Sequence, residues 1–276
     1  MKRNGWVHLV VGGALVLGVG TAIAQGPGGG HHGPFGGPME LMGFEGMHGG
    51  KVVKGAPFSA TTSSTTSQTL PDGNAINRTA LGLIYRDSEG RVRREVTFTG
   101  VASLEASGGT HKMVVIFDPV AGVHYMLKPD KKIAYKMTLP ANGADKAQAF
   151  EQKMQARQQQ EQASGALKVE SLPAQVVKGV NTEVTRTTHT IAAGEIGNSG
   201  AIQIVSERWY STDLQTVVQS TRTDPRFGTT TFSLSNIQKA EPAATLFAVP
   251  ADYTVKAGEP GHGRHGGPGA PPPPGS

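Results

Sequence analysis

Turn signals recur at short, regular intervals between about Lys51 and Val255, and this spacing limits the possible folds more than any other feature of the chain. Each signal contains residues that fix φ or tolerate a positive φ. The clearest signals lie at residues 71–74, 87–90, 118–122, 128–131 and 224–228. Because Val, Ile, Thr and Tyr are common between them, the pattern predicts consecutive antiparallel hairpins rather than strand–helix–strand units.

About ten strands are predicted. One hairpin covers residues 123–137, and further strands cover 52–63, 76–86, 91–101, 112–117, 181–191, 202–211, 214–223 and 229–237. A strand at 112–117 has apolar residues on both faces, which is typical of a strand that is covered on both sides.

A single segment departs from the strand pattern. Residues 144–162 are rich in Ala, Gln, Glu and Lys and contain no Gly or Pro, which predicts a helix. Ala147, Phe150, Met154 and Arg157 share one stripe of this helix, so it can bury one narrow face. The expected role is that of a lid or buttress over a sheet.

The amino terminus predicts export. Lys2 and Arg3 precede an apolar run over 6–19, and Ala22 and Ala24 supply the small residues of a cleavage site, so residues 1–24 are interpreted as a signal peptide cleaved after Ala24. A retained membrane anchor is the alternative, but the run is shorter than the roughly 20 residues that a helix needs to span a bilayer. The expected location is periplasmic or secreted, with no integral membrane span after cleavage.

Two tails are expected to flank one domain. Residues 25–50 are rich in Gly, Pro, His and Met, and residues 257–276 are rich in Gly, Pro and His. Such segments bury too little apolar surface to offset the entropy of ordering, so both are predicted to be disordered. Residues 51–256 are long enough for a single domain with its own core.

Composition excludes several classes of protein. The chain has no Cys, so no disulfide and no acylated amino-terminal cysteine can form. Its net charge is +5, and removal of Lys2 and Arg3 leaves 24 basic against 21 acidic residues. This small, scattered excess does not indicate a nucleic-acid partner.

Catalytic motifs are missing from the sequence. It contains no nucleophile elbow, phosphate loop or zinc ribbon. His111, His124 and His189 are the only histidines between the tails, and a lone strand histidine is more often a surface or core residue than a base. The chain is therefore interpreted as a non-enzyme without a cofactor.

Two charged or metal-ligating groups allow alternative interpretations. His31, His32 and His48 are weak candidates for copper or nickel binding, because imidazole suits these metals, but a solubilising tail has the same composition.

Five arginines, Arg78, Arg86, Arg91, Arg93 and Arg94, surround one predicted hairpin. They could contact anionic lipids, or form the solvated face of an edge hairpin that discourages aggregation.

The predicted hairpin at 123–137 has alternating apolar residues on both strands. Folding about Asp130 places Tyr125 opposite Tyr135, Leu127 opposite Ile133 and Val123 opposite Met137. These cross-strand pairs would form one contiguous apolar face, with the lysines on the other.

Parts of the chain resemble the lipoprotein-carrier superfamily, the periplasmic half-barrel chaperones. The matching segments are 207–210 (ERWY), 232–237 (FSLSNI), Glu241-Pro242 with 246–253 (LFAVPADY), and Phe117-Asp118-Pro119 followed by Tyr125 and Tyr135. The first half, including 57–60 and 85–91, resembles uncharacterised bacterial secreted proteins.

This resemblance implies a mainly β fold with one or two helices, in which a curved antiparallel sheet forms an incomplete barrel around a helix. It also implies that a lipid, lipoprotein acyl chain or other apolar ligand binds in the concavity without catalysis. The expected lining residues are Val115, Phe117, Tyr125, Leu127, Ile133, Tyr135, Met137, Ile202, Ile204, Val218, Phe232 and Leu234. The same residues could instead fill a closed core.

Three functions from different classes follow. The first is the apolar carrier, with a lipid or lipoprotein as partner. The second is a structural or stress-sensing interaction module of the cell envelope that has a closed core and a protein partner. The third is metal buffering by the His/Met-rich tail.

Overall fold

The structure is a computed structural model that describes residues 52–99, 112–140 and 143–258. These residues form twelve strands and one α-helix. The elements are β1 (Phe58–Thr69), β2 (Ala75–Arg86), β3 (Val92–Thr99), β4 (Lys112–Asp118), β5 (Val123–Lys128), β6 (Ile133–Thr138), α1 (Gly143–Ala163), β7 (Leu167–Val177), β8 (Val180–Ile191), β9 (Ile202–Ser211), β10 (Thr216–Asp224), β11 (Gly228–Gln238) and β12 (Thr254–Ala257).

All twelve strands belong to one open sheet. Their order is β12-β6-β5-β4-β3-β2-β1-β11-β10-β9-β8-β7. Two consecutive antiparallel meanders, β1–β6 and β7–β11, are joined where β11 pairs with β1. Only the pairing of β12 with β6 is parallel. The predicted mainly β, antiparallel, incompletely closed architecture is therefore confirmed.

Residues with special backbone conformations close the hairpins. At the turn between β2 and β3, Asp87 is 1% exposed and its Oδ1 accepts hydrogen bonds from the backbone N–H groups of Glu89 and Arg91, at 3.1 and 2.8 Å. Gly90 completes this turn with φ of 88°. Since a side chain is strained at that φ, the glycine fits the turn that the sequence signal predicts.

The sequence does not predict strands β7 and β12, and β1 begins at Phe58 rather than at residue 52. β7 contains Pro173 and has a bulge between Leu172 and Gln175, so its sequence lacks a regular alternation. Pro is tolerated because β7 is an edge strand, where one row of N–H groups needs no partner. β12 has only four residues and all of them are exposed, so it gives no apolar signal.

Helix α1 closely matches the helix predicted at 144–162. Its expected buried stripe is only partly present: Met154 and Arg157 are half-buried, whereas Phe150 is 49% exposed, so the prediction for Phe150 is wrong. The helix contacts β7, and Glu161 Oε2 near its end lies 4.0 Å from His189 Nε2 on β8. It therefore packs through its carboxyl-terminal half. The helices within the described ranges are too short or too polar to cross a membrane.

The sheet curves towards one face. Arg86, at the end of β2, donates hydrogen bonds to the carbonyl of Leu214, which lies in the turn before β10. Strands β1 and β11 separate β2 from β10, so a flat sheet would hold them about 14 Å apart. An arginine side chain cannot span that distance, so the sheet must curl around the side of Arg86. We call this side the concave face and the other side the convex face.

Each face contains an apolar cluster. On the concave side, one cluster combines residues of β1, β2, β8, β10 and β11, with Phe58, Leu214, Val218 and Leu234 at 2% exposure or less. On the convex side, a second cluster combines β4, β5 and β6 with Phe247. Burial of side chains of this size contributes roughly 1.5–3 kcal/mol each, so both clusters are major sources of stability.

The segment after β11 crosses the convex face to reach the sheet edge. We call residues 239–258 the C-terminal strap. Arg93 Nη1 donates to the carbonyl of Leu246 at 3.0 Å, and the guanidinium of Arg91 lies 5.3 Å from the centre of the Phe247 ring. At its far end Lys132 pairs with Asp252 at 3.0 Å. The strap thus covers the convex side of the first meander.

Candidate functional site

The β5–β6 hairpin has a different register from the one predicted. Leu127 pairs with Ala134, Tyr125 with Lys136 and Val123 with Thr138. The cause is the turn: residues 129–131 form a short 3-10 helix, and Lys132 adds a fourth loop residue at φ of 48°. Because side chains alternate with a period of two, one extra loop residue moves the whole returning strand to the other face.

The register divides the predicted lining residues between the two faces. Tyr125 and Leu127 lie on the convex face, where Leu127 is 1% exposed beneath the strap. Ile133, Tyr135 and Met137 lie on the concave face instead. The expected single apolar face with Tyr125 opposite Tyr135 is therefore wrong.

A different apolar surface results on the concave face. Pairing along β3, β4, β5 and β6 places Val115 beside Met126 and Tyr135, and Phe117 beside His124 and Met137. We call this surface the apolar wing. Its members are Met113, Val115, Phe117, Met126, Ile133, Tyr135 and Met137. All are half-buried except Val115, which is 7% exposed. They leave apolar surface accessible on the inside of the curve.

The strand containing Val115 confirms the prediction that both of its faces are covered. Val114 and Ile116 are 2% and 0% exposed on the convex side, and Val115 is almost as well buried on the concave side. These three residues anchor the wing to the convex cluster.

Polar groups at the wing are few. The imidazole of His124 lies between Phe117 and Met137 on neighbouring strands, and its burial lowers its pKa below the ordinary value of 6.5. Lys128 Nζ lies 5.3 Å from the centre of the Tyr135 ring at the edge of the wing. His124 is therefore neutral near pH 7, whereas Arg94, which pairs with Val115 from β3 and is 7% exposed, places a buried charged side chain beside the wing.

The other predicted lining residues occupy two further places on the concave side. Val218, Phe232 and Leu234 belong to the concave cluster and are 6% exposed or less. Ile202 and Ile204 lie on β9, where Ile204 pairs with His189, the residue near the end of α1. The structure thus separates the predicted set into four places: the wing, the concave cluster, the region near the helix and, for Tyr125 and Leu127, the convex face.

Arginines and hydroxyl groups occupy the centre of the concave face. One cross-strand row contains Arg78, Thr66, Thr230 and Arg222 on β2, β1, β11 and β10. Arg208 on β9 lies diagonally beside Arg222, because Arg208 pairs with Ser220. We call these five residues the basic row. The hydroxyl groups of Thr66 and Thr230 are 3.2 Å apart and hydrogen-bonded.

Sequence analysis missed the basic row because its residues come from distant segments. Arg78 and Arg222 are brought to one row only by the pairing of β1 with β11. The alternating polar patterns of β1 and β10 predict strands, but they do not say which strands are neighbours.

The arginine cluster around β2 and β3 also differs from its predicted role as the solvated face of an edge hairpin. Both strands lie inside the sheet, with Arg86 and Arg94 only 6% and 7% exposed. Arg86 donates to the carbonyl of Ala56 at 2.8 and 3.0 Å and lies 4.7 Å from the centre of the Phe58 ring. Burial lowers its pKa to about 10. Arg86 is part of the core.

Metal binding has no support within the described ranges. No group of three or more His, Asp or Glu residues there could hold a metal ion. The candidates His31, His32 and His48 lie outside the described residues.

No family model matches the chain, and no curated protein matches it in sequence. Several solved structures match most of the chain at low sequence identity. The complex of MucA and MucB from Pseudomonas aeruginosa is 12% identical with a TM-score of 0.38, covering 74% of this chain and 59% of that chain. An uncharacterised conserved protein from Thermus thermophilus is 7% identical with a TM-score of 0.40, covering 73% of this chain and 90% of that chain.

A LolA superfamily protein from Nitrosomonas europaea is 9% identical with a TM-score of 0.27, covering 76% of this chain and 96% of that chain. The present chain spans less than two thirds of the matched chain in the MucA/MucB complex. The structural neighbours do include LolA superfamily proteins, as the resemblance in the sequence implied.

Proposed function

We propose that the chain is an exported, non-catalytic binding module that holds the apolar part of a lipid or lipoprotein on its concave face. The observation that carries the proposal is the apolar wing. Its strands are sealed on the convex side, where Val114, Ile116 and Leu127 are 2% exposed or less. On the concave side the same strands present half-buried Met, Phe, Ile and Tyr side chains.

The chemistry of the wing suits binding without a reaction. Met side chains adapt to irregular apolar shapes, and the wing contains three of them, Met113, Met126 and Met137. Each methylene group removed from water contributes about 0.8 kcal/mol, so an acyl chain of moderate length can offset the cost of ordering it. His124 is held neutral by its apolar surroundings and adds no charge to be desolvated.

Export supports the same function. The amino-terminal sequence predicts a signal peptide, and carriage of an apolar molecule across an aqueous compartment requires a protein that shields it from water. We place the protein in the periplasm or outside the cell.

Mass spectrometry of an organic extract tests the proposal. The mature protein is purified from its native compartment without detergent, and we expect a stoichiometric lipid or acyl species. Phe117→Ser should lose it, and Met126→Gln, which preserves side-chain volume, should reduce it. Leu81→Ser is the matched control, because Leu81 is 49% exposed on the convex face.

A wild-type extract without lipid, together with no binding of added dodecyl maltoside, would contradict the proposal. Retention of the lipid in both wing variants would show that it binds elsewhere. Circular dichroism of each variant separates lost binding from lost folding.

A further inference from the structure

The amino-terminal tail contains one apolar segment, residues 35–47, with the sequence FGGPMELMGFEGM. Its large apolar side chains are Phe35, Met39, Leu41, Met42, Phe44 and Met47. The preceding residues 25–34 and the other tail, residues 259–276, contain no Val, Ile, Leu, Met, Phe, Tyr or Trp. We call residues 35–47 the apolar segment, and it lies outside the described residues. A solubilising tail needs no large apolar side chains, so these indicate a surface that buries them.

The described part of the chain begins on the concave side, next to the wing. Ahead of β1, the carbonyl of Ala56 accepts hydrogen bonds from Arg86, which lies on the concave face at the end of β2. A side chain at Gly90, in the turn before β3, would collide with Val52. Traced backwards from β1, the chain therefore passes β2 and then β3, and the next strand in that direction is β4.

The apolar segment is long enough to reach the wing from this point. Val92 on β3 pairs with Phe117, the wing residue at the near end of β4. The turn that Val52 contacts lies two residues before Val92, so strand geometry places it roughly 8 Å from Phe117. Met47 lies five residues before Val52, and five extended residues span up to about 17 Å. The rest of the segment can then cover the wing, where β4 extends about 13 Å from Met113 to Phe117.

The segment and the wing have matching chemistry. The chain has eight methionines, of which three lie in the segment, three in the wing, one on α1 and one at the start of the predicted signal peptide. Methionine adapts to irregular apolar surfaces and makes favourable contacts with aromatic rings. The two charged residues of the segment, Glu40 and Glu45, are acidic, and Lys128 lies at the edge of the wing.

We infer that the apolar segment docks on the apolar wing of its own chain and competes there with the ligand. A short flexible tether gives an effective concentration in the millimolar range, so even weak contacts keep the segment on the wing for much of the time. Docking goes beyond the proposed function and does not require it, whereas competition with a lipid rests on that function.

Methyl NMR of the complete mature protein, labelled with ¹³C at the methionine methyl groups, tests the docking. We expect nuclear Overhauser effects between methyl groups of the segment and of the wing, with Met154 on α1 as the internal reference. The double variant Leu41→Ser/Phe44→Ser should abolish these effects and shift the wing signals, but not that of Met154. His31→Ser/His32→Ser is the matched control, because both residues lie in the same tail outside the segment.

Calorimetric titration with dodecyl maltoside, below its critical micelle concentration, tests the competition. The double variant in the segment should bind dodecyl maltoside at least about threefold more tightly than the wild-type protein. This factor is expected if the segment occupies the wing for two thirds of the time, because only the unoccupied fraction binds ligand. The histidine double variant should bind like the wild-type protein.

The outcomes distinguish this inference from the proposed function. Absence of the Overhauser effects between segment and wing, or equal measurable affinities of the wild-type protein and the segment variant for dodecyl maltoside, would overturn the inference and leave the apolar carrier standing. Overhauser effects without any binding of dodecyl maltoside would support docking and count against the carrier. Effects that disappear on dilution would show that the segment of a second copy is bound, which contradicts docking within one chain.

Discussion

Among the individual residues, Arg86 shows how a charged side chain becomes part of an apolar core. Its guanidinium donates to the carbonyls of Ala56 and Leu214 and covers the ring of Phe58. It thereby connects β2 to the segment before β1 and to the turn before β10. One side chain thus helps to hold the curvature of the sheet.

Replacement of Arg86 should therefore destabilise the protein strongly. We expect Arg86→Met to lower the free energy of unfolding by about 2–4 kcal/mol, because two buried carbonyls lose their donor. Urea denaturation measures this change. Arg186→Met, at a half-buried convex position, should cost about 1 kcal/mol or less. Equal effects at the two sites would show that the Arg86 contacts contribute little.

His124 predicts a pH dependence of stability. Its pKa in the folded protein is lowered by burial below the ordinary value of 6.5, so between these two pKa values the unfolded chain binds more protons. The stability that the folded protein gains from neutral His124 is therefore fully present above pH 6.5. It is lost as the pH falls from 6.5 through the lowered pKa of the folded protein.

The urea midpoint should fall more between about pH 7.5 and pH 5.5 in the wild-type protein than in His124→Gln. His189→Gln is the comparison, because His189 lies on β8, away from the wing. An identical pH profile for wild type and His124→Gln would refute the assignment.

Among the larger elements, the C-terminal strap decides which face of the first meander is closed. Phe247 is 4% exposed in the convex cluster, and the strap ends in β12, which pairs with the edge strand β6. Because the strap covers the convex face of the first meander, the concave face is the one that stays accessible there.

Phe247→Ala should lower the free energy of unfolding by about 3–5 kcal/mol, since it leaves a cavity in the convex cluster. The midpoint of urea denaturation measures the loss. Val255→Ala, where the side chain is 51% exposed on β12, should change stability by less than about 0.5 kcal/mol. A small effect of Phe247→Ala would mean that the strap is not needed to close the convex face.

Across the complete sheet, two clusters on opposite faces share one backbone. Ile84 belongs to the concave cluster and Ile116 to the convex cluster, and neither cluster contains residues of the other. The backbone of the sheet is their common element, so their side-chain packing should be energetically independent.

A double-mutant cycle tests this independence. Ile84→Val and Ile116→Val should each cost about 0.5–1.5 kcal/mol, and the double variant should cost their sum within about 0.5 kcal/mol. Ile84→Val combined with Leu234→Ala, within the concave cluster, is the coupled comparison. Strong coupling between Ile84 and Ile116 would show that the clusters pack as one core.

Local structure follows from the amino-acid sequence alone. Turn residues and period-two alternation predict most strands, and the composition of 144–162 predicts the helix, because these signals depend on φ preferences and near neighbours. The resemblance to half-barrel carriers also indicated the correct architecture. Edge strands β7 and β12 escaped prediction because edges tolerate Pro and exposed polar residues.

The grouping of side chains on each face comes from the folded sheet instead. The additional loop residue Lys132 places Tyr135 and Met137 on the face opposite Tyr125. No local sequence preference of the hairpin predicts this change of register. Likewise, the pairing of β1 with β11 brings Arg78 and Arg222 into one cross-strand row, although they are more than 140 residues apart in sequence. The sites depend on register and long-range pairing, which burial of the whole sheet selects.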